Sequence, residues 1–187
     1  MAFSGVILAG GCSSRMGQDK TELTVNELSL LDYAKARLQS TGANPILISR
    51  NTFDMGTLPD IYPHHGPLSG VHSAAMEAKR AEGLLVIAVD MPLISVNSLT
   101  VLVATGQLHN RPVHYQGASL PCYIPLSDSI KLKLEHILTS KQNKTLENFL
   151  YHEKTLVLQP RDKKEFININ TPEQWQEFHP YLKQQLK

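Results

Sequence analysis

Short apolar runs alternate along this chain with stretches whose apolar residues recur every three or four positions. Phe3–Ala9 is apolar and carries β-branched Val6 and Ile7, which predicts a buried strand. From Ser29 the period changes: Leu30, Leu31, Ala34 and Leu38 share one helical face. Ser29 and Asp32 form a capping pair at its start, and Gly42 supplies a stop. Ile46–Ile48 is the next predicted strand. Ser69–Glu82 is the next helix, with Ser69 as its candidate N-cap and Gly83 closing it. Leu84–Val89, LLVIAV, is the longest aliphatic run and shows no polar alternation, as a central parallel strand covered on both faces requires. Asp90 and Pro92 end it. The pattern continues with a helix around Asn97–Ala104 and extended stretches at Pro112–Tyr115 and Leu120–Ile124. Helices at Ser127–Leu138 and Thr145–Leu150 follow, then strands at Thr155–Leu158 and Phe166–Ile169. Thr171 caps a last helix, with Pro172 at its first position and Gln174 closing the capping box.

Strands separated by helices need right-handed crossover connections. The predicted fold is therefore α/β, with three α/β/α layers around a mostly parallel, Rossmann-like sheet. No repeat, low-complexity tract or linker interrupts the pattern, so residues 1–187 read as one domain. At this length folding buries roughly 70% of the unfolded surface, enough for a core without metal or disulfide staples.

Composition removes several function classes. Hydrophobic residues at 42% and charged residues at 19% argue against disorder. The 18 basic and 17 acidic residues nearly cancel, which leaves no field to favour nucleic acid or a membrane surface as partner. No apolar run approaches the ~18 residues of a membrane span. The apolar start lacks a basic lead and the length of a secretion signal. Cys12 and Cys122 are then free thiols in a reducing cytoplasm, Cys12 as a small loop side chain.

Candidate chemistry concentrates after the first strand, in VILAGGCSSRMGQDK, residues 6–20. In sheets of this kind ligands bind beyond the carboxyl ends of the strands. Gly10 and Gly11 allow a sharp turn and close approach to backbone N–H groups, and Ser13 and Ser14 add donors. Arg15 and Lys20 bring two permanent cations to the same loop, and Gly17 gives it a second joint. Together these suit a polyphosphate. Gln18 and Asp19 follow Gly17 where a P-loop needs Lys and Ser/Thr, and the adjacent glycines do not fit a dinucleotide fingerprint.

Asp90 closes the central strand and faces the same crevice, which makes it a candidate Mg²⁺ ligand. His64, His65 and His72 match no standard zinc spacing; the Gly66-Pro67 turn instead reads as a helix entry. Near the C-terminus, alternation puts Asn168 and Asn170 on one strand face, where their amides could meet a phosphate, a pterin or a metal-bound water.

The stretch LAGG-x₃-RMG-x-DK resembles the signature of the molybdenum cofactor guanylyltransferase family, within the nucleotidyltransferases that carry a glycine-rich loop. The GPL-x-G stretch at Gly66–Gly70 and NINTPE at Asn168–Glu173 resemble further family segments, in the expected order. The resemblance implies transfer of GMP from GTP to a phosphate of Mo-molybdopterin, with release of pyrophosphate. It implies Arg15, Lys20 and Asp90 as catalytic residues and Asp90 as the Mg²⁺ ligand. It further implies Leu8, Ala9, Gly10, Gly11, Lys20, Asp60 and Asp90 at the nucleotide, and Asn168 and Asn170 at the second substrate. Molybdopterin-insertion proteins and molybdoenzyme chaperones follow as partners. Two positions depart from the family pattern. Ser49 stands where the family has a base-binding asparagine, with Asn51 two residues on, and either could make that contact. Leu120-Pro121 replaces a His-Pro pair. Guanine rests on the resemblance, so a CTP-dependent enzyme or another acceptor is the alternative.

Overall fold

The computed structural model describes residues 2–10, 19–52 and 56–185. Strand β1 (Ser4–Leu8) is followed by a 3-10 turn (Lys20–Glu22) and a small hairpin, β2 (Thr24–Val25) with β3 (Leu28–Ser29). Helix α1 (Leu30–Ser40), strands β4 (Ile46–Ser49) and β5 (Thr57–Leu58), helix α2 (Pro67–Glu77) and strand β6 (Gly83–Ala88) come next. The second half runs α3 (Val96–His109), β7 (Val113–Tyr115), β8 (Cys122–Pro125), α4 (Asp128–Thr139), α5 (Leu146–His152), β9 (Leu156–Leu158) and α6 (Pro172–Gln185).

Seven strands form one sheet in the order β5-β4-β1-β6-β8-β7-β9 among the described residues. All pairings are parallel except those of β8, which runs against both β6 and β7. Two apolar clusters lie on the two faces. Ile7, Leu85 and Ile87 point towards α1, α3 and α6, whereas Val6, Leu84 and Val86 point towards α2, α4 and α5. The period-two alternation of the central strands therefore fills both layers with apolar side chains. The mostly parallel three-layer sheet expected from the pattern is present.

Close approach sets where the helices sit. Tyr123 of β8 is almost fully buried, and its ring occupies the space of two missing side chains. A Cβ on Gly106 would lie 2.1 Å from Tyr123 Cδ1, and one on Gly83 2.1 Å from Tyr123 Oη. Glycine at Gly106 of α3 and Gly83 of β6 leaves the Tyr123 ring the room it occupies.

Three expectations are corrected. Helix α2 starts at Pro67 after Gly66, two residues before Ser69. Proline pre-sets the first helical φ, so Ser69 lies inside the helix and its hydroxyl donates to the Tyr62 carbonyl. The same helix ends at Glu77, and Gly83 opens β6 instead of closing α2. Phe166–Ile169 is no strand: a 3-10 turn at Lys163–Phe166 leads into irregular chain. Here Ile169 buries its side chain and donates its N–H to the Asp90 carbonyl at 2.8 Å, an anchor that sheet pairing would not supply. The Ser29 and Thr171 capping readings hold: Ser29 Oγ accepts from Asp32 N at 3.0 Å, Thr171 Oγ1 accepts from Gln174 N at 3.3 Å, and Gln174 Oε1 accepts from Thr171 N at 3.2 Å.

Candidate active site

Strands β1, β4 and β6 are parallel neighbours, so their carboxyl ends share one rim. Leu8 pairs with Ser49 on one side and Ala88 on the other. The rim is closed by Ala9 N donating to the Ser49 carbonyl at 2.9 Å and Val89 N donating to the Leu8 carbonyl at 3.1 Å. Leu8, Ala9 and Gly10 thus leave β1 between the Ser49 and Asp90 turns. Gly11 and Arg15 lie outside the described residues, as do Cys12, Ser13, Ser14 and Gly17.

Lys20 returns to this rim on the first turn after the loop. Its Nζ lies 3.0 Å from Asp90 Oδ2 and 2.6 Å from Asn170 Oδ1. The pair is largely shielded, the side chains retaining 14% and 18% exposure. Three segments separated by 70 and 150 residues of sequence meet at one ammonium. The other Asp90 oxygen, Oδ1, is buried and accepts no hydrogen bond among the described residues. A buried carboxylate oxygen without a donor is costly unless a cation completes it. A hard carboxylate oxygen is also what Mg²⁺ prefers. Asp90 Oδ1 therefore offers one oxygen donor suited to a divalent ion, and no cluster of three or more acidic, histidine or cysteine ligands surrounds it among the described residues.

Asp19 and Arg50 also belong here, and neither was assigned a role from sequence. Asp19 Oδ1 accepts from Thr21 N at 2.9 Å and from Thr21 Oγ1 at 2.7 Å, which caps the 3-10 turn bearing Lys20. The Arg50 guanidinium, just after β4, donates to Asp19 Oδ2 and at 3.3 Å to Thr21 Oγ1. Partial burial works against ionisation of Asp19, but the Thr21 and Arg50 donors outweigh it and hold the carboxyl below its ordinary range. The signal that could have found Arg50 was a cation at the carboxyl end of a strand beside β1.

The remaining nucleotide candidates form a second cluster on the same rim. Asn51 and Asp60 exchange two hydrogen bonds, Asn51 Nδ2 to Asp60 Oδ2 at 2.8 Å and Asp60 N to Asn51 Oδ1 at 2.8 Å. Ser49 Oγ is buried and reaches Asp60 Oδ1 only at 3.5 Å. Helix α2 presses on it at Gly70, where a Cβ would lie 2.4 Å from Ser49 Oγ. Asn168 is exposed and lines a cavity of about 750 Å³ beside Asp90, together with Met91, His114, Leu120 and Phe166. Asn168 and Asn170 do not share a strand face, because no strand forms there. Asn170 turns to Lys20 and Asn168 to the cavity. Cys122 is fully buried, which pushes its thiol well above the usual range and makes it an inert core residue. No helix among the described residues is long and apolar enough to cross a membrane.

A lysine shared between Asp90 and Asn170, and a carboxylate oxygen without a donor at the end of a central strand, mark this rim as the candidate site. Residues 5–155 match the family described as the MobA-like NTP transferase domain. The chain belongs to that family. A relative named molybdenum cofactor guanylyltransferase, from Xanthomonas euvesicatoria pv. vesicatoria (strain 85-10), is 36% identical over 177 residues, covering 92% of each chain. A probable molybdenum cofactor guanylyltransferase from Pelotomaculum thermopropionicum is 30% identical over 182 residues, 90% of this chain and 88% of that one. The crystal structure of molybdopterin-guanine dinucleotide biosynthesis protein A from Archaeoglobus fulgidus superposes with TM-score 0.77 at 17% identity, covering 97% and 99% of the chains. A 4-diphosphocytidyl-2C-methyl-D-erythritol synthase from Anaerococcus prevotii gives TM-score 0.70 at 14% identity, covering 97% and 98%. These two structural likenesses speak to the fold. Family and sequence relatives together make the chain a nucleotidyltransferase of the molybdenum cofactor guanylyltransferase group.

Proposed function

We propose that this MobA-like enzyme transfers GMP from GTP to the terminal phosphate of Mo-molybdopterin, releasing pyrophosphate and forming the guanine dinucleotide cofactor. The observation that carries the reading is the junction of Lys20, Asp90 and Asn170 beside the β1 loop, with Asp90 Oδ1 left open.

Attack of one phosphate on an α-phosphorus is an in-line displacement that needs positioning and charge neutralisation more than a protein nucleophile. The attacking phosphate is already ionised, so no side chain has to remove a proton. Gly10 and Gly11 would offer backbone amides to the triphosphate, and Arg15 with Lys20 would supply fixed positive charge to its oxygens. Asp90 would hold Mg²⁺ through Oδ1, and the ion would supply charge neutralisation at the α-phosphate. Asp19 and Arg50 keep the turn that aims Lys20. Asp60, braced by Asn51, contributes with Ser49 to the base-side rim, while Leu8 and Ala9 form its floor. Asn170 orients Lys20, and Asn168 meets the second substrate in the adjoining cavity. Insertion proteins and molybdoenzyme chaperones are the partners that would take up the product, and such an enzyme works in the cytoplasm.

The decisive experiment measures pyrophosphate released from GTP and from CTP in separate reactions with Mo-molybdopterin, with and without Mg²⁺. Release from GTP alone, dependent on Mg²⁺ and acceptor, is expected. Preference for CTP would overturn the guanine assignment, and release independent of acceptor would overturn the transfer itself.

A further inference from the structure

The cavity beside Asp90 contains a histidine that no part of the phosphate chemistry uses. His114 lies in β7, where Val113 and Tyr115 turn into the core beneath α3 and the intervening side chain faces the cavity. Its Nδ1 lies 2.8 Å from the Tyr115 carbonyl and 2.8 Å from the Ala118 carbonyl. Carbonyl oxygens only accept, so Nδ1 must carry the hydrogen. In the neutral ring this selects one tautomer, with the hydrogen on Nδ1 and an accepting lone pair on Nε2. No described residue engages that nitrogen.

The surroundings limit what can satisfy it. Leu120, Val157 and Phe166 give the cavity apolar walls around His114, and Phe166 is steadied by Tyr115 at 4.7 Å between ring centroids. Met91 and Asn168 wall the same cavity, next in sequence to Asp90 and two residues from Asn170. A ligand group with flat apolar faces and an N–H edge fits this combination: the faces lie against the walls and the edge donates to Nε2.

We infer that His114 is a specificity-determining residue for the acceptor, whose fused 2-amino-4-oxo heterocycle donates an N–H to Nε2 of the locked tautomer. The inference rests on the reading of this site as a transferase acting on a pterin-bearing acceptor. It assigns the recognition of that ring to the cavity face of β7, away from the triphosphate rim. His114 acts on binding and touches no reacting atom.

The test uses the intact enzyme with two substitutions, His114→Leu and His114→Gln, the latter returning a polar tip near the position of Nε2. In steady-state turnover with GTP and Mo-molybdopterin, His114→Leu is expected to raise the acceptor KM about tenfold or more, the cost of stranding one donor. The GTP KM and kcat should hold within about twofold, and His114→Gln should recover most of the loss. A second measurement titrates 6-hydroxymethylpterin, a fluorescent stand-in for the ring, into nucleotide-free protein. Binding is expected for wild type, weakened by His114→Leu and indifferent to added GTP. An unchanged acceptor KM in His114→Leu, or displacement of the pterin by GTP, would overturn the inference while leaving the transferase reading intact. Absence of any acceptor-dependent turnover in the wild-type enzyme would instead overturn the transferase reading.

Discussion

Lys20 and Asp90 lie 70 positions apart in sequence, and their charged atoms meet at 3.0 Å where the first loop returns to the central strand. The contact uses one carboxylate oxygen and leaves the other buried and open. Lysine and a cation can therefore share Asp90 without competing for the same oxygen. Under the proposed function, a site so arranged would meet the charge of the phosphates with charge already in place.

Removing the carboxylate should separate activity from stability. Asp90→Ala is expected to lower Mg²⁺-dependent turnover at least about 100-fold, since charge stabilisation of this kind is worth several kcal/mol. The same change takes the carboxylate from the shielded Lys20 ammonium, which destabilises, and removal of a buried oxygen without a donor offsets this only in part. Unfolding free energy should fall by about 1–3 kcal/mol, with the fold retained. A urea melt beside the pyrophosphate assay checks both, and a large loss of stability would show Asp90 to be a structural residue.

Why was Asp90 legible and Arg50 not? Asp90 ends an aliphatic run that can only be a central strand, so its place at the crevice follows from topology alone. The sheet layers, the Ser29 and Thr171 caps and the convergence of Lys20 with Asp90 follow from similarly strong periodicity. Arg50 acts through Asp19 across 31 positions, and no local pattern records a side-chain pair between two loops. The Phe166–Ile169 stretch misled for the opposite reason. Alternation of apolar and amide residues imitates a strand, but Ile169 is held by a single backbone bond to Asp90. Short elements such as β2, β3 and β5 carry too few residues to show a period.

Arg50 should matter by aiming Lys20. Arg50→Ala leaves Asp19 and its Thr21 cap but frees the carboxylate from its anchor. A rise of about three- to tenfold in the KM for GTP is expected, with kcat less affected. Because Asp19 titrates below its ordinary value, its stabilising contribution is present above about pH 4 and is lost as pH falls through its lowered pKa. The wild-type and Arg50→Ala stability curves should therefore run parallel from pH 8 to 5 and converge only in acid.

His72 predicts a different pH dependence. It is buried in α2 with neither ring nitrogen hydrogen-bonded, its ring 5.3 Å from Tyr62. Burial pushes its pKa below the usual range, with the charge of Glu135 opposing. As pH falls past about 6.5 the unfolded chain takes up a proton that the folded chain refuses, so stability declines. The slope attributable to one group is at most about 1.4 kcal/mol per pH unit. Denaturant midpoints for wild type and His72→Leu between pH 7.5 and 5 should show a smaller decline in the variant. Equal slopes would exclude His72 as the source.

Packing at Tyr123 gives a prediction free of the active site. Gly106→Ala drives a methyl group into a ring that has no room to move, and overpacking of this kind costs about 1–3 kcal/mol. Tyr123→Leu empties the space that the methyl needs. In a double-mutant cycle the added cost of Gly106→Ala should therefore be smaller in the Tyr123→Leu background, with a coupling of at least about 0.5 kcal/mol. Additive effects would mean that α3 shifts as a body and the ring is not the obstacle.

The base-side rim decides how Ser49 and Asn51 divide the work. Both ends of the Asn51 amide are committed to Asp60, and Ser49 Oγ is buried under α2. Asn51 is therefore expected to act by bracing Asp60 more than by touching the base. Asn51→Asp keeps the shape but sets a second carboxylate against Asp60 Oδ2, where a donor stood at 2.8 Å. Like charges at that distance repel, so Asp60 should swing away, and GTP affinity is expected to fall about tenfold or more. Asn51→Ser, neutral and smaller, should lose less. The discriminating comparison is Asp60→Asn combined with Asn51→Asp, which restores one donor facing one acceptor with the roles exchanged. Recovery of GTP binding in that pair assigns Asn51 to positioning. Continued loss would place Asn51 itself against the nucleotide.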